Sequence, residues 1–474
     1  VEGVARLAAF SLVGLCLWLT ACAPPTPSPI VTPDLSSWLA AGDAAAADGA
    51  RTAAVSAYEQ AAALAPDAPT PYLRLARLYL DWNRPQEGLA AVAEAAERGA
   101  ADADVEPLRA ALYAAAGDWE ETARHAEAAL ALAPDDDAHA LVAQAYLNLG
   151  RATEAETAYR AILTADPQSS LAHERLGALL AISEPAGAGG HLEAAGTPLA
   201  TALLDTLEQS AGSDPAYRLT LIGQTCLDHG VPALAALALA QAATANPEYA
   251  DAQALWGLAL DQMGRTEEAL PHLEAAVQAA PDSARARSLL GIHLLSAHEP
   301  EAARPHLEAA HEADPQNPAF CLYLAYLYAD LGGYEVARVW LEEATRLAPQ
   351  EPAIWERVAR FYAERGLGAQ GLRAAHNLVA LAPESAKAHD LLGWTLFLTG
   401  EVEHAEAELG EALAREPCLA TAQYHLGEIY AYRSQSAAAR AALTRALDCN
   451  TDPTLRAEIE EALLRLDCPA PPAG

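Results

Sequence analysis

Six prolines, Pro247, Pro281, Pro315, Pro349, Pro383 and Pro417, stand 34 residues apart. Pro66, Pro134 and Pro167 carry the same phase toward the N-terminus, with one slip of a residue. A period of this length over most of a chain constrains the fold more than any other feature, because it requires a stack of like supersecondary units. Other landmarks recur in register with the prolines. The unit ending at Pro281 has Trp256-Gly257 and Leu260, then Gly264, then Ala269, Leu273 and Ala276. The unit ending at Pro417 repeats this with Leu392-Gly393, Leu396, Gly400, Ala405, Leu409 and Ala412, and the last unit with Leu426-Gly427, Tyr430, Ala439, Leu443 and Ala446. Spacings of three and four residues place these side chains on one helical face. The small residues let two helices approach, the larger ones fill the groove between them, and proline ends the second helix.

A helix–turn–helix of 34 residues with these landmarks resembles the tetratricopeptide repeat. About twelve such units run from Leu35 to about Thr451. The expected fold is therefore all-α, an α-α superhelix (solenoid) closed at its end by a capping helix. That helix would carry Leu455, Ile459, Leu463 and Leu466 in one stripe and acids on its wet outer side. The unit beginning near Ser169 departs from the pattern. After Leu176-Gly177 and Leu180 it breaks into a Gly/Pro-rich stretch, residues 183–198, with the second helix expected to resume over Leu199–Leu207. A surface loop and a hinge between front units (35–182) and rear units (199–451) are both compatible with this composition. Pro271 and Pro305 fall near the start of second helices, where proline costs little.

The first residues read as a targeting segment. Arg6 precedes an apolar run from Leu7 to Leu19, too short to span a bilayer, and Leu19-Thr20-Ala21-Cys22 comes next. These four residues resemble the lipobox of bacterial lipoproteins. The resemblance implies a signal over 1–21, lipid on Cys22 and an extracytoplasmic protein anchored to a bacterial cell membrane. Ala23 after the cysteine would place it at the periplasmic face of an outer membrane, where there are two membranes. An ordinary cleaved signal with a chance cysteine is the alternative. Residues 22–34 are proline-rich and read as an extended linker, and 452–474 hold the cap and tail.

The sequence carries little that points to chemistry. The chain of 474 residues has 64 acids and 29 bases, a formal charge of −35, which argues against nucleic acid as a partner. No Gly-Lys-Ser/Thr succeeds the glycine-rich stretch, and no Gly-x-Ser-x-Gly or His-Glu-x-x-His occurs. His272 and His306 occupy equivalent places in adjacent units, too far apart to share one zinc. Adjacent acidic pairs such as Glu267-Glu268 point in different directions on a helix and read as solvated faces. Neither a catalytic site, a metal, a cofactor nor a small-molecule substrate is expected.

Among the cysteines, Cys418 opens the first helix of the last unit and Cys449 closes its second, so these two are a candidate disulfide. Cys226 and Cys321 read as small buried residues. The resemblance further implies a partner protein or peptide in the concave groove made by first helices. The register selects Tyr326, Arg360, Trp394, Phe397, Tyr424, Glu428 and Tyr432, a composition typical of hot spots, with ordinary inter-helix packing as the competing reading. The lysine–asparagine carboxylate clamp of some family members is not recognisable at Asp390 and Trp394 or at Glu356 and Arg360. The expected role is a non-catalytic interaction scaffold or assembly lipoprotein. A holder of secreted or unfolded clients is the alternative, and an enzyme with an unrecognised site a remote third.

Overall fold

A computed structural model describes residues 34–133 and 136–467, and the proposed signal, Cys22 and Cys468 lie outside them. The described residues form 26 α-helices and no strand. Twenty-four pair into twelve antiparallel units, from Leu35–Ala47 with Arg51–Leu64 to Ala420–Tyr432 with Ser436–Cys449. The two left over are Pro198–Gln209 and Pro453–Asp467.

Six of the pairs are closed by a tight glycine-on-leucine contact. At Gly257 an added Cβ would lie 2.5 Å from Leu273 Cγ, and at Gly393 2.8 Å from Leu409 Cγ. Only hydrogen fits there, so the leucine of the second helix seats directly on the first helix. The turn between the two helices uses the left-handed region, at Gly264 (φ 74°) and Gly400 (φ 88°). Serines cap several first helices, with Ser169, Ser283 and Ser385 accepting from the amides of Ala172, Ala286 and Ala388.

The periodic prolines do more than stop a helix. In six units a side chain six residues after the proline donates to its carbonyl. The donors are His173, Gln253, Arg287, Trp355, His389 and Gln423, at 2.6–3.4 Å from the carbonyls of Pro167, Pro247, Pro281, Pro349, Pro383 and Pro417. The carbonyl has no helical donor at that point, so this bond ties each turn to the next unit.

The Gly/Pro-rich segment is a helix, which corrects the expectation of a loop. Pro185–Ala195 pairs with Ser170–Ser183, and Leu192 seats on Gly177 as Leu273 does on Gly257. Leu199–Leu207 belongs instead to the extra helix Pro198–Gln209, which interrupts the alternation and turns a corner. One continuous core runs around that corner from Val142 through Leu176, Leu192, Leu203 and Leu234 to Leu255. The helix Pro232–Ala245 (PALAALALAQAATA) is largely apolar, with polar side chains only at Gln241 and Thr244, and is buried on most sides, because front-unit residues such as Leu147 also pack on it.

The stripe of the last helix is not the free end of a stack. Ile459 and Ala462 share a core with Leu443, Leu447 and Trp82, the last of which comes from the second unit and is 2% exposed. Trp82 Nε1 donates to Leu447 O at 3.0 Å, Arg51 Nη1 to Asp448 O at 2.8 Å, and Thr52 N to Asp448 Oδ1 at 2.8 Å. Asn83 reaches Thr451 O and Arg84 pairs with Glu460. The two ends of the array meet, and the superhelix closes on itself.

Candidate functional site

The first helices Pro352–Glu364, Ala386–Leu398 and Ala420–Tyr432 lie side by side, and the C-terminal helix Pro453–Asp467 takes the position a further first helix would occupy. Between them is a cleft of about 630 Å³. Its apolar lining includes Leu391, Trp394, Leu398, Leu419 and Leu455, with Tyr424 between Trp394 and the last helix. Charged groups surround this lining: Arg360 and Lys387, the only lysine of the chain, against Glu364, Asp390, Asp452 and Glu458.

A buried polar pair holds the floor in shape. Asp390 accepts from Thr421 Oγ1 at 2.6 Å and pairs with His425 Nδ1 at 2.7 Å, which satisfies a carboxylate only 5% exposed. His425 in turn stacks on Trp394, with ring centroids 4.3 Å apart and planes 12° from parallel. The indole is therefore held on one side by a hydrogen-bonded imidazole, which limits its rotamers before any partner arrives. Burial pushes the Tyr424 phenol above its usual range, and the Glu428 carboxylate adds to that. It stays a neutral donor at physiological pH.

Of the seven residues selected from the sequence, Arg360, Trp394 and Tyr424 line this cleft. Arg360 is extended along its helix by an ion pair with Glu356 at 2.7 Å. Phe397 tilts against Trp394 and meets Tyr432 edge-on at 5.6 Å, while Tyr432 is 71% exposed. Glu428 is engaged by Arg465 of the last helix at 2.7 Å. Tyr326 lies apart from the cleft, edge-on to Phe361 at 5.2 Å with the Arg365 guanidinium over its ring. Sequence reading missed Asp390–His425, Lys387 and the contribution of Leu455 and Glu458. The first pair lies within three residues of the repeat glycines Gly393 and Gly427, and that register was the signal that could have found it.

Cys418 and Cys449 are joined by a disulfide, with Cα atoms 5.3 Å apart. Cys226 and Cys321 are buried free thiols. His272 stacks on Trp256 at 3.6 Å and pairs with Gln253 Oε1, so repeat packing occupies it. Among the described residues no group of three or more His, Cys, Asp or Glu is arranged to hold a metal. No described helix is long and apolar enough to cross a membrane.

Comparisons with known proteins agree with the repeat geometry. Family models described as tetratricopeptide repeat match residues 136–179, 220–284, 254–318 and 294–361. No curated protein matches the chain in sequence. Similar solved structures include the Cut9–Hcn1 hetero-tetramer of the APC/C, with 14% identity, 91% of this chain and 96% of that one covered, and a TM-score of 0.40. Yeast Tom70 is similar over 92% of this chain and 97% of its own, with 14% identity and a TM-score of 0.41. A tetratricopeptide repeat protein from Parabacteroides merdae is covered over 99% of its length by 54% of this chain, with 16% identity and a TM-score of 0.44. No role is read from likenesses this distant. With twelve antiparallel helix pairs, six of them closed by a glycine-on-leucine contact, and family matches over front and rear units alike, this chain is a tetratricopeptide repeat protein.

Proposed function

We propose that this chain is a non-catalytic interaction scaffold that takes a protein or peptide partner in the cleft between its last three first helices. The observation that carries this is Trp394, half-buried and fixed by the Asp390–His425 pair, facing a cleft of about 630 Å³ with Tyr424 beside it and charges of both signs around it. Rigid aromatics in a sheltered, polar-rimmed recess are the usual centres of binding energy. The reading also puts the protein outside the cytoplasm, held to a bacterial envelope membrane by lipid on Cys22, on the strength of the Leu19–Cys22 motif.

A crosslinking pull-down from native membranes, comparing the intact chain with a Trp394→Ala/Tyr424→Ala variant, tests the first part. One stoichiometric partner lost from the variant is expected, with a weakening of about 2 kcal/mol or more, roughly thirtyfold. A diffuse set of clients unchanged by the substitutions overturns the cleft as partner site and favours a client holder. For the anchor, Cys22→Ser is expected to move the protein from the membrane to the soluble fraction, and retention in the membrane overturns it.

A further inference from the structure

Nothing in repeat stacking requires the two ends of a solenoid to touch, since each unit contacts only its neighbours. Here they do, and the acceptors offered by the rear end are concentrated at the end of one helix. Leu447 O receives Trp82, Asp448 O receives Arg51, and Asp448 Oδ1 receives the Thr52 amide. These are among the last residues of the helix Ser436–Cys449, where carbonyls have lost their helical donors and helices fray most readily. The next residue is Cys449, and its bond to Cys418 fastens this helix end to the turn that begins the same unit. The seam and the staple are adjacent in sequence and in space.

We propose that the Cys418–Cys449 disulfide is a redox-set clasp for ring closure. Oxidised, it holds residues 447–449 in place to receive Arg51, Thr52 and Trp82, and the two ends stay joined. Reduced, it frees the helix end, and the seam opens together with the helix Pro453–Asp467 that packs on Trp82.

The chemistry needs a dithiol as reductant. Cys418 is exposed, so a dithiol thiolate can attack its sulfur and expel the Cys449 thiolate. The second thiol of the reductant then displaces Cys418. Two electrons and two protons pass to the protein, which ends with two thiols, while the dithiol leaves as its own disulfide. The other described sulfurs do not compete. Cys226 and Cys321 are buried, and burial pushes their thiols up to about 12 and about 11, so neither supplies a thiolate for exchange.

The experiment uses the full chain, oxidised and after dithiothreitol, with amide hydrogen exchange measured by mass spectrometry and alkylation of cysteines counted in the same samples. Reduction is expected to speed exchange at the Thr52 amide and across residues 450–463 by tenfold or more, with units in the range 284–347 unchanged. The Cys418→Ser/Cys449→Ser variant is expected to match the reduced protein without reductant. Trp82→Ala is expected to open the same peptides in the oxidised state. Should it fail to fold, Asn83→Gly removes the bond to Thr451 O, suits the left-handed φ of 53° that Asn83 adopts, and is expected to give the same pattern at smaller amplitude. Both cysteines alkylated with exchange at the seam unmoved overturns the clasp, as does a disulfide that resists the dithiol in the folded chain. Leu455 and Glu458 wall the cleft, so opening also reshapes it. That consequence rests on the partner reading above, whereas exchange at Thr52 is measured with no partner present.

Discussion

The fifth unit, Ser170–Ser183 with Pro185–Ala195, and the eleventh, Ala386–Leu398 with Val402–Arg415, reach one geometry from dissimilar sequences. The eleventh has a second helix of fourteen residues, most of them good helix formers. The fifth has eleven residues containing Pro185, Gly187, Gly189 and Gly190, and each interior glycine costs about 1 kcal/mol of helix propensity relative to alanine. What they share is a buried triplet. Ala188, Leu192 and Ala195 repeat the spacing of Ala405, Leu409 and Ala412, and both leucines are fully buried against a glycine, Gly177 or Gly393. Propensity is a weak prior that packing overrides, and here three buried contacts outweigh three glycines, since Pro185 stands at the helix start where proline costs little. The two units differ in their successors. The short fifth unit leads into the unpaired helix Pro198–Gln209 and a bend, the eleventh into another regular unit.

The largest test of this equivalence is truncation of the two leucines. Leu192→Ala and Leu409→Ala are each expected to cost about 2–5 kcal/mol, as buried leucines do when they leave a cavity. Array units open partly independently, so the measurement is exchange protection within each unit, read alongside global denaturation. A Leu192→Ala cost far below that of Leu409→Ala would break the comparison and return 183–198 to a loop.

Glycine substitutions sharpen it with effects of opposite sign inside one unit. At Gly177 a Cβ would lie 2.7 Å from Leu192 Cδ2 and 3.1 Å from its backbone nitrogen, so Gly177→Ala is expected to destabilise by about 1–3 kcal/mol. At Gly189 a Cβ would meet nothing within 4 Å, and Gly189→Ala is expected to stabilise by about 0.5–1 kcal/mol. Chemical denaturation midpoints of the two variants check this. Destabilisation by Gly189→Ala would mean that the helix Pro185–Ala195 is not the state it occupies in solution.

Most of the architecture is legible in the sequence because it is periodic. Proline phase, the glycine–leucine pair and the alanines give the twelve units, and the Leu-Gly register led to Trp394 and Tyr424. The triplet Ala188, Leu192 and Ala195 was legible too, but the glycines around it drew the reading toward a loop. Contacts made once are a different matter. Trp82 sits 365 residues from Leu447, and no period predicts their meeting. The largely apolar helix Pro232–Ala245 carried a trace of the bend, since a helix with so narrow a polar face needs cover on most sides. Leu455 and Glu458 entered the cleft for the same kind of reason: superhelical closure, not the repeat, positions them.

The smallest expected effect separates the two units by pH. Four residues before each repeat glycine, the first helix meets the residue preceding the second-helix leucine. In the eleventh unit this pair is His389 with Glu408 at 2.7 Å, and in the fifth it is His173 with His191, Nδ1 to Nδ1 at 2.9 Å. Two imidazoles at that distance share one proton, and a second is repelled. Burial holds the His191 imidazole below its ordinary 6.5, and His173 lowers it further. Linkage sets the sign: the folded unit prefers neutral His191, so its stability is full above pH 6.5 and is lost as pH falls from there toward the lowered value. Exchange protection of residues 185–195, corrected for intrinsic rates, is expected to drop by less than tenfold between about pH 7.5 and about pH 5.5. His272 and His306 are also lowered by burial and would tilt a global denaturation curve, so the local readout is the one that decides. His191→Gln should flatten the slope in this unit alone. An unchanged slope in that variant would remove the histidine pair as its cause and leave the two units alike in their response to acid.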